Sequence, residues 1–377
     1  MKALIYHPSI PRYLAARALG KRYPAGWVPL RLRDVAEPEP PPGWVKARVR
    51  LAGICGSDLA LLFGKNSPRL SPFFSFPAVL GHEILAEVEG QRVAVNPLLA
   101  CAERGLEPCP ACARGEEGLC QNVAAGSLTP GMLGYNSDLP GGWSEWIVAR
   151  PERLHQIPDG IPDERAVLSE PLAVALRGLR RAFENNGKYN FPDSILIIGA
   201  GSIGLLTLAL LRALGYGSRL DVVARHSLQA KMALNLGASG VYENTAAALG
   251  DIGARKYKPI LGGSVYRGGY GAVIEAAGSA SSLEQASWAT TEGGLVLLLG
   301  AAGEMRHDFS PHWFRELTWA GSYTYAAADF ASAIKILGEI PGLEALVGPA
   351  YSLENWRGAI AAARNHLVLK AVFKPLY

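Results

Sequence analysis

From Ser194 onward, short apolar runs alternate with longer stretches of helical spacing. Ile195 to Ile198 is an unbroken apolar run. It is followed, after a glycine turn, by an apolar helix pattern that Arg212 interrupts. LDVVA (220–224) reads as a second strand and residues 228–236 as the helix after it. AVIEAAG (272–278) and GLVLLLG (294–300) are two more short apolar strands, each ending in glycine, and LTWAGSYTY (317–325) is another. Unbroken apolar strands separated by helices predict a parallel sheet covered on both faces.

The first half is patterned differently. Residues 2–6 read as a first strand. WVKARVRL (44–51) alternates apolar and basic positions, as a half-buried strand does. ILAEVEG, QRVAV and GGWSEWIV (141–148) are further strands, while residues 7–43, rich in Pro, Arg and Gly, read as loop and short turns. Residues 163–183 have helical spacing with Pro171 early in the segment. The tail predicts a helix over 329–338, a turn at Pro341-Gly342, a helix over 353–363 and a last strand from Leu367 to Phe373. The whole reads as an α/β protein: a doubly wound parallel sheet joined to a mainly β portion.

Composition narrows the classes. A chain of 377 residues, 49% hydrophobic and 19% charged, has enough apolar material for two full cores. A net charge of +4 gives no reason to invoke nucleic acid. No apolar run reaches the length of a membrane span. Residues 1–33 contain no Asp or Glu and several Arg, as transit peptides do. MKALIY nevertheless reads as a first strand starting at Met1, so a mature cytoplasmic chain is expected.

The glycine turn carries chemistry. Gly199-Ala200-Gly201-Ser202-Ile203-Gly204 joins the first strand of the second half to its helix. Gly199 would allow the tight turn, Gly201 the approach of a pyrophosphate, and Gly204 close packing of helix on strand. Ser202 and Ile203 open the helix, whose free N–H groups and partial positive charge suit phosphates. This predicts dinucleotide binding in a Rossmann arrangement. Ala277-Gly278 and Leu299-Gly300, at the ends of two further strands, join the expected cofactor positions.

Five cysteines are present, and four lie within twenty residues: Cys101, Cys109, Cys112 and Cys120, spaced C-x7-C-x2-C-x7-C. Four thiolates fit a closed tetrahedral zinc site that stabilises a loop lacking a core of its own. Cys55 stands apart in the turn GICGSD, beside Ser57 and Asp58, and His82 and Glu83 follow after a loop. Cys, His and a carboxylate form a three-ligand set with an open fourth place, the catalytic arrangement of zinc. Glu170, fixed by the following Pro171, is a further candidate acid. An N-terminal helix acid favoured by the helix dipole would look the same.

GICGSD, GHE, a cysteine lobe, SEPLAVAL and GAGSIG, in this order, together resemble the zinc-dependent medium-chain dehydrogenase/reductase family (the alcohol dehydrogenase superfamily). The likeness is closest to its polyol, threonine and glucose dehydrogenase branch. MKALIY, VIEAAGS (273–279) and GSYTY (321–325) extend the resemblance over nearly the whole chain. It implies a GroES-like catalytic domain over 1–165 with a zinc lobe at 101–120, a Rossmann domain over 166–327, and a return of 328–377 to the catalytic domain. It also implies two zinc ions per chain. A catalytic one would be held by Cys55, His82 and Glu83 or Glu170, and a structural one by the four lobe cysteines. Ser57 would accept the alcohol proton and Asp58 would orient the zinc ligands. Substrate, zinc and nicotinamide would meet in the interdomain cleft of a homodimer or homotetramer. Three departures stand out. The usual first lobe cysteine position is Leu106, so Cys101 comes from a lengthened loop. The His that often follows the catalytic Cys by five residues is Ala60. Residues 7–30 are extra loop.

Enzymes of this kind that use NAD place a carboxylate at the end of the second strand to hold the ribose hydroxyls. Here that point is Ala224, followed by Arg225 and His226. Arg225 could pair with a 2′-phosphate, so NADP is expected in preference to NAD. The function read from the chain is hydride transfer between a secondary alcohol, or its carbonyl, and NADP or NAD, with no nucleic acid or membrane partner. Two other readings use the same fold: a zinc-free reductase of enones or quinones, and a non-catalytic NADP-binding protein.

Overall fold

The computed structural model describes residues 1–300 and 303–376. The chain forms two compact units, Met1–Ala173 with Tyr325–Tyr377, and Val174–Thr324.

The second unit is built on the strand Ser194–Ile198. Ile195, Leu196 and Ile197 are fully buried, which is why this run has no polar alternation. On one side it pairs in parallel with Arg219–Val223, which pairs with Gly240–Tyr242. On the other side follow Tyr270–Glu275, Thr290–Leu298 and Thr318–Gly321, all parallel. The strand order therefore reverses at Ser194–Ile198, the place where doubly wound sheets bind ligands beyond the strand ends. The helices Ser202–Ala213, Ser227–Asn235 and Ala280–Ala289 supply the crossovers. Thr318–Gly321 is an edge strand, shorter than its 317–325 pattern.

In the first unit, Val45–Gly53 organises a seven-stranded sheet. It pairs antiparallel with Ile84–Val88, with Trp146–Ala149 and with the C-terminal strand Lys370–Phe373. Val372 lies opposite Gly53, so the tail is a structural part of this unit. A smaller sheet of Leu30–Asp34, Lys2–Tyr6 and Ala78–Val79 packs in the same core, around Trp143, Leu4 and Phe373.

The structure corrects the expectation for residues 7–43. They contain a helix, Ile10–Leu19, and the strand Leu30–Asp34, paired with Lys2–Tyr6. Only Ala16 of that helix is buried, while Ile10 and Leu14 are exposed, so no amphipathic period marks it. The tail also carries an unexpected strand, Val347–Tyr351, and the segment 163–183 divides into Asp163–Ala166 and Ser169–Phe183. Among the described residues, no helix is long and apolar enough to cross a membrane.

Candidate active site and metal centres

Three neighbouring strands bring the site together. Cys55 follows the end of Val45–Gly53 and forms the N-cap of the helix Gly56–Leu62. His82 and Glu83 lead into the adjacent strand Ile84–Val88, and Gly53 N donates to Glu83 O at 2.8 Å. Cys55, His82 and Glu83 each offer a ligand atom, and these atoms lie within 4.8 Å of one another. Two glycines make the approach possible. A Cβ on Gly53 would fall 1.8 Å from Glu83 Oε2. Gly81, at φ +94°, has Trp143 Cδ1 where its Cβ would be, 2.3 Å away.

Asp58, fully buried, ties the group together. Its Oδ2 accepts from the Cys55 backbone N–H at 2.8 Å, and its Oδ1 lies 3.5 Å from His82 Nδ1. Burial alone would lower the His82 pKa, but Asp58 and Cys55 outweigh it and raise the value well above the ordinary range. Tyr135 lies tilted against His82 at 5.3 Å between ring centroids, and its hydroxyl donates to Asp58 Oδ1 at 2.8 Å and Ser57 Oγ at 3.1 Å.

Two groups complete the electrostatics. Lys370, buried on the C-terminal strand, pairs with the Glu83 carboxylate and reaches Ile54 O at 3.4 Å. Burial would lower its pKa, yet Glu83 and Cys55 raise it. Glu170 lies in the first turn of Ser169–Phe183 and is buried. Desolvation pushes its carboxyl up to about 7, with His82 and Lys370 opposing and Glu83 adding to the rise. It is outside the three-residue ligand cluster but within its field. Lys370 and Tyr135 carry no local motif. A lone lysine in the otherwise apolar run LVLKAVF is the only sign of the first. Ala60 is half-buried on the same helix as Ser57 and supplies no titratable group.

The ligand atoms of Cys101, Cys109, Cys112 and Cys120 also lie within 4.8 Å of one another. Cys101 Sγ is 3.6 Å from Cys120 Sγ and accepts from Cys109 N at 3.3 Å and Asn122 Nδ2 at 3.3 Å. Backbone donors, those of Cys112 and Gln121 among them, hold Cys109 down to about 6, while burial pushes Cys112 and Cys120 up. Four crowded thiols with N–H groups aimed at sulfur suit one metal ion, which would remove their protons. The lobe is pinned from outside. Arg104 donates to the carbonyls of Leu99, Leu128 and Gly131, and Arg153 forms a buried pair with Glu103.

In the other unit, Gly199 has φ +107° and Ala277 packs where a Cβ would stand. A Cβ on Gly204 would sit 1.9 Å from Gly199 O, whereas one on Gly201 would meet no protein atom within 4 Å. Gly201 caps the helix Ser202–Ala213, whose first turn holds Ser202 and Ile203. Beside this turn, Glu275 accepts from Ala277 N and Gly278 N at 2.8 Å, and Leu299 N and Gly300 N donate to its backbone carbonyl. Ala224 follows the strand Arg219–Val223, and Arg225 and His226 after it are exposed. Asp221, within that strand, pairs with Arg219 and accepts from Tyr270, so it faces inward rather than past the strand end.

Comparison with known proteins gives the family. Residues 41–159 match the alcohol dehydrogenase GroES-like domain, and residues 163–373 match the glucose dehydrogenase C-terminus. L-galactonate-5-dehydrogenase of Escherichia coli (strain K12) is 30% identical over 308 residues, 78% of this chain and 79% of that protein. Glucose 1-dehydrogenase of Methanocella arvoryzae is 32% identical over 286 residues, 74% of each chain. The solved galactitol-1-phosphate dehydrogenase from Escherichia coli superposes with a TM-score of 0.72 at 22% identity, covering 100% of both chains, and shares the fold. The chain belongs to the alcohol dehydrogenase superfamily of medium-chain dehydrogenases, in its polyol and sugar dehydrogenase branch. It is an oxidoreductase of the alcohol dehydrogenase type.

Proposed function

We propose that this protein is a zinc-dependent dehydrogenase that transfers hydride between a secondary alcohol, of polyol or sugar type, and NADP in preference to NAD. The observation that carries the reading is that the ligand atoms of Cys55, His82 and Glu83, one sulfur, one nitrogen and one oxygen donor, lie within 4.8 Å of one another. Such a mixed set with three protein ligands suits a catalytic zinc with a place left for substrate. Bound there, zinc would supply Lewis acidity toward the alcohol oxygen, and a bound nicotinamide would supply the hydride acceptor. The chain's own residues do the rest. Asp58 orients His82, Lys370 balances the charge of Glu83, and the buried Glu170 beside them is placed to hold a water. Ser57 takes the proton of the alcohol as it passes its own hydroxyl proton on to water.

The four lobe cysteines hold the second, structural zinc. The unit Val174–Thr324 takes the dinucleotide at Gly199–Gly204, lined by Ala277, Gly278, Leu299 and Gly300, with Arg225 selecting the 2′-phosphate. The other unit carries the chemistry. A cytoplasmic homodimer or homotetramer completes the proposal.

The test is Cys55→Ala or His82→Ala. Each variant is expected to keep the circular dichroism of the parent, bind one zinc instead of two, and lose turnover. Near-normal activity in either would sink the zinc reading.

A further inference from the structure

We infer that the alcohol this protein oxidises is an anion, a polyol or sugar bearing a carboxylate or phosphate, drawn in by a cationic rim around the site. The inference rests on the dehydrogenase reading above and names its substrate class. Two stretches of the chain contain no Asp or Glu at all, residues 1–33 and 59–82. The second leaves the site just after Asp58 and returns to it at His82, so this loop joins the two arms of the ligand set. Its far end closes on the site through aromatic rings. Phe74 and Phe76 lie 5.4 and 6.5 Å from the Tyr135 ring, and Tyr135 lies 5.3 Å from His82. The first stretch packs on the same loop. Tyr13 O stands 3.0 Å from where a Cβ on Gly64 would be, the Tyr13 hydroxyl reaches Asn66 O at 3.5 Å, and the Tyr23 ring lies 6.2 Å from Phe63.

The cations of these two stretches lack counter-charge. Arg12, Lys21, Arg22, Lys65 and Arg69 are exposed, and among the described residues none of them pairs with a carboxylate. Elsewhere in the same unit cations are matched. Lys46 pairs with Glu37, Arg50 with Glu87 and Asp163, Arg153 with Glu103 and Glu117, and Arg165 with Glu344. A surface of one sign raises the local concentration of small ions of the other sign and their rate of entry. The distance suits that role. Lys65 follows by three residues the helix Gly56–Leu62, whose first turn holds Ser57 and whose length is about 10 Å. The Debye length is about 8 Å at physiological ionic strength, so an exposed charge there still acts on a ligand at the site. A second copy of the chain does not explain the rim, because a patch of one sign repels its own copy. The glycine turn that suits a pyrophosphate is in the other unit and has its own donors, the free N–H groups of Ser202–Ala213. A charged end on the substrate explains both the sign of the rim and its place on the loop between the ligands.

The test offers zinc-loaded protein, with NADP, a matched series: glucitol, gluconate and glucitol phosphate, with their galacto and manno counterparts. We expect kcat/KM at low salt to be at least about tenfold higher for the anions than for the neutral polyol of the same configuration, and this advantage to shrink with added potassium chloride. The double variant Arg12→Glu and Lys65→Glu should lower kcat/KM for the anions at least about tenfold. The neutral polyols, zinc content and KM for NADP should stay within about twofold of the parent. Equal values for neutral and charged members, or an equal loss on both in the variant, would overturn the inference and leave the dehydrogenase reading standing. Calorimetric titration of the same compounds reads the rim without turnover. If the parent oxidises none of them, tighter and salt-sensitive binding of the anions, absent from the double variant, would support the inference and count against the dehydrogenase reading alone. Equal binding of neutral and charged members, or none, would overturn it. Capture of the protein by anionic vesicles, with no preference among the small ligands, would assign the rim to a lipid surface and overturn it as well.

Discussion

Cys55 shows how a single residue is placed by forces unrelated to its chemistry. Its extended backbone ends one strand and caps a helix, and the capping Asp58 is the same group that faces His82. Removing the cap would therefore disturb the metal site. Gly53 is the sharper probe, because its missing side chain makes room for the Glu83 carboxylate. Gly53→Ala should displace Glu83, remove the zinc of this site and lower turnover at least about tenfold, while the lobe zinc stays; metal analysis and kinetics check it. At this scale Cys55, His82, Glu83 and the lobe cysteines were legible, because cysteine and histidine are rare and their spacing is diagnostic. Lys370 and Tyr135 were not. Strand pairing across the sheet and a loop fold bring them in, and neither leaves a periodic trace in the sequence.

Elements differ in what holds them. The cysteine lobe has only a small apolar cluster of its own, Cys101, Cys109 and Ala111, so a metal held by its four cysteines would carry much of its stability. Cys112→Ser is expected to lose one zinc and lower the melting temperature, read by metal analysis and calorimetry, with Cys55 chemistry intact in the cold. Arg153→Met leaves Glu103 buried without its cation, a loss of about 3–5 kcal/mol of stability by denaturant unfolding. In the nucleotide unit, Glu292 is partly buried, which would raise its pKa. Donors from Gly268 N and the Arg315 and Arg267 guanidinium groups win and lower it. A carboxyl depressed on folding stabilises above its unfolded value, about 4.3, and that stability is lost as the pH falls through the lower folded value. Acid unfolding of Glu292→Gln should lack this component. The helix Ile10–Leu19 was illegible because Ala16 is its one buried residue, whereas LRLRD alternated plainly but lay inside a segment dominated by Pro and Arg.

Over the whole molecule, the parallel sheet was the most legible feature. Its central strands are buried on both faces and so read as unbroken apolar runs. Most strands of the mainly antiparallel sheet of the other unit were legible, but Leu154–Gln156 and Val347–Tyr351 were not, and its closure by Lys370–Phe373 depends on pairing across more than three hundred residues of sequence. The exposed Phe309, Trp313 and Phe314 lie just before the edge strand Thr318–Gly321. An exposed apolar group beside an open strand edge is a surface for association. Light scattering is expected to give a dimer or tetramer, and a monomer at micromolar concentration would contradict it. Cofactor choice belongs to this scale too. Arg225→Ala should raise KM for NADP at least about tenfold and leave that for NAD within about twofold. Equal Michaelis constants in the parent would count against the preference.

The most direct measurement is absorbance at 340 nm, with NADP and NAD, on zinc-loaded protein offered polyols, aldoses, threonine and simple secondary alcohols. The account predicts reduction of NADP with one class of secondary alcohol, two zinc ions per chain, and loss of the signal in Cys55→Ala. Cofactor binding with no turnover on any alcohol or carbonyl, and a single zinc per chain, would contradict it.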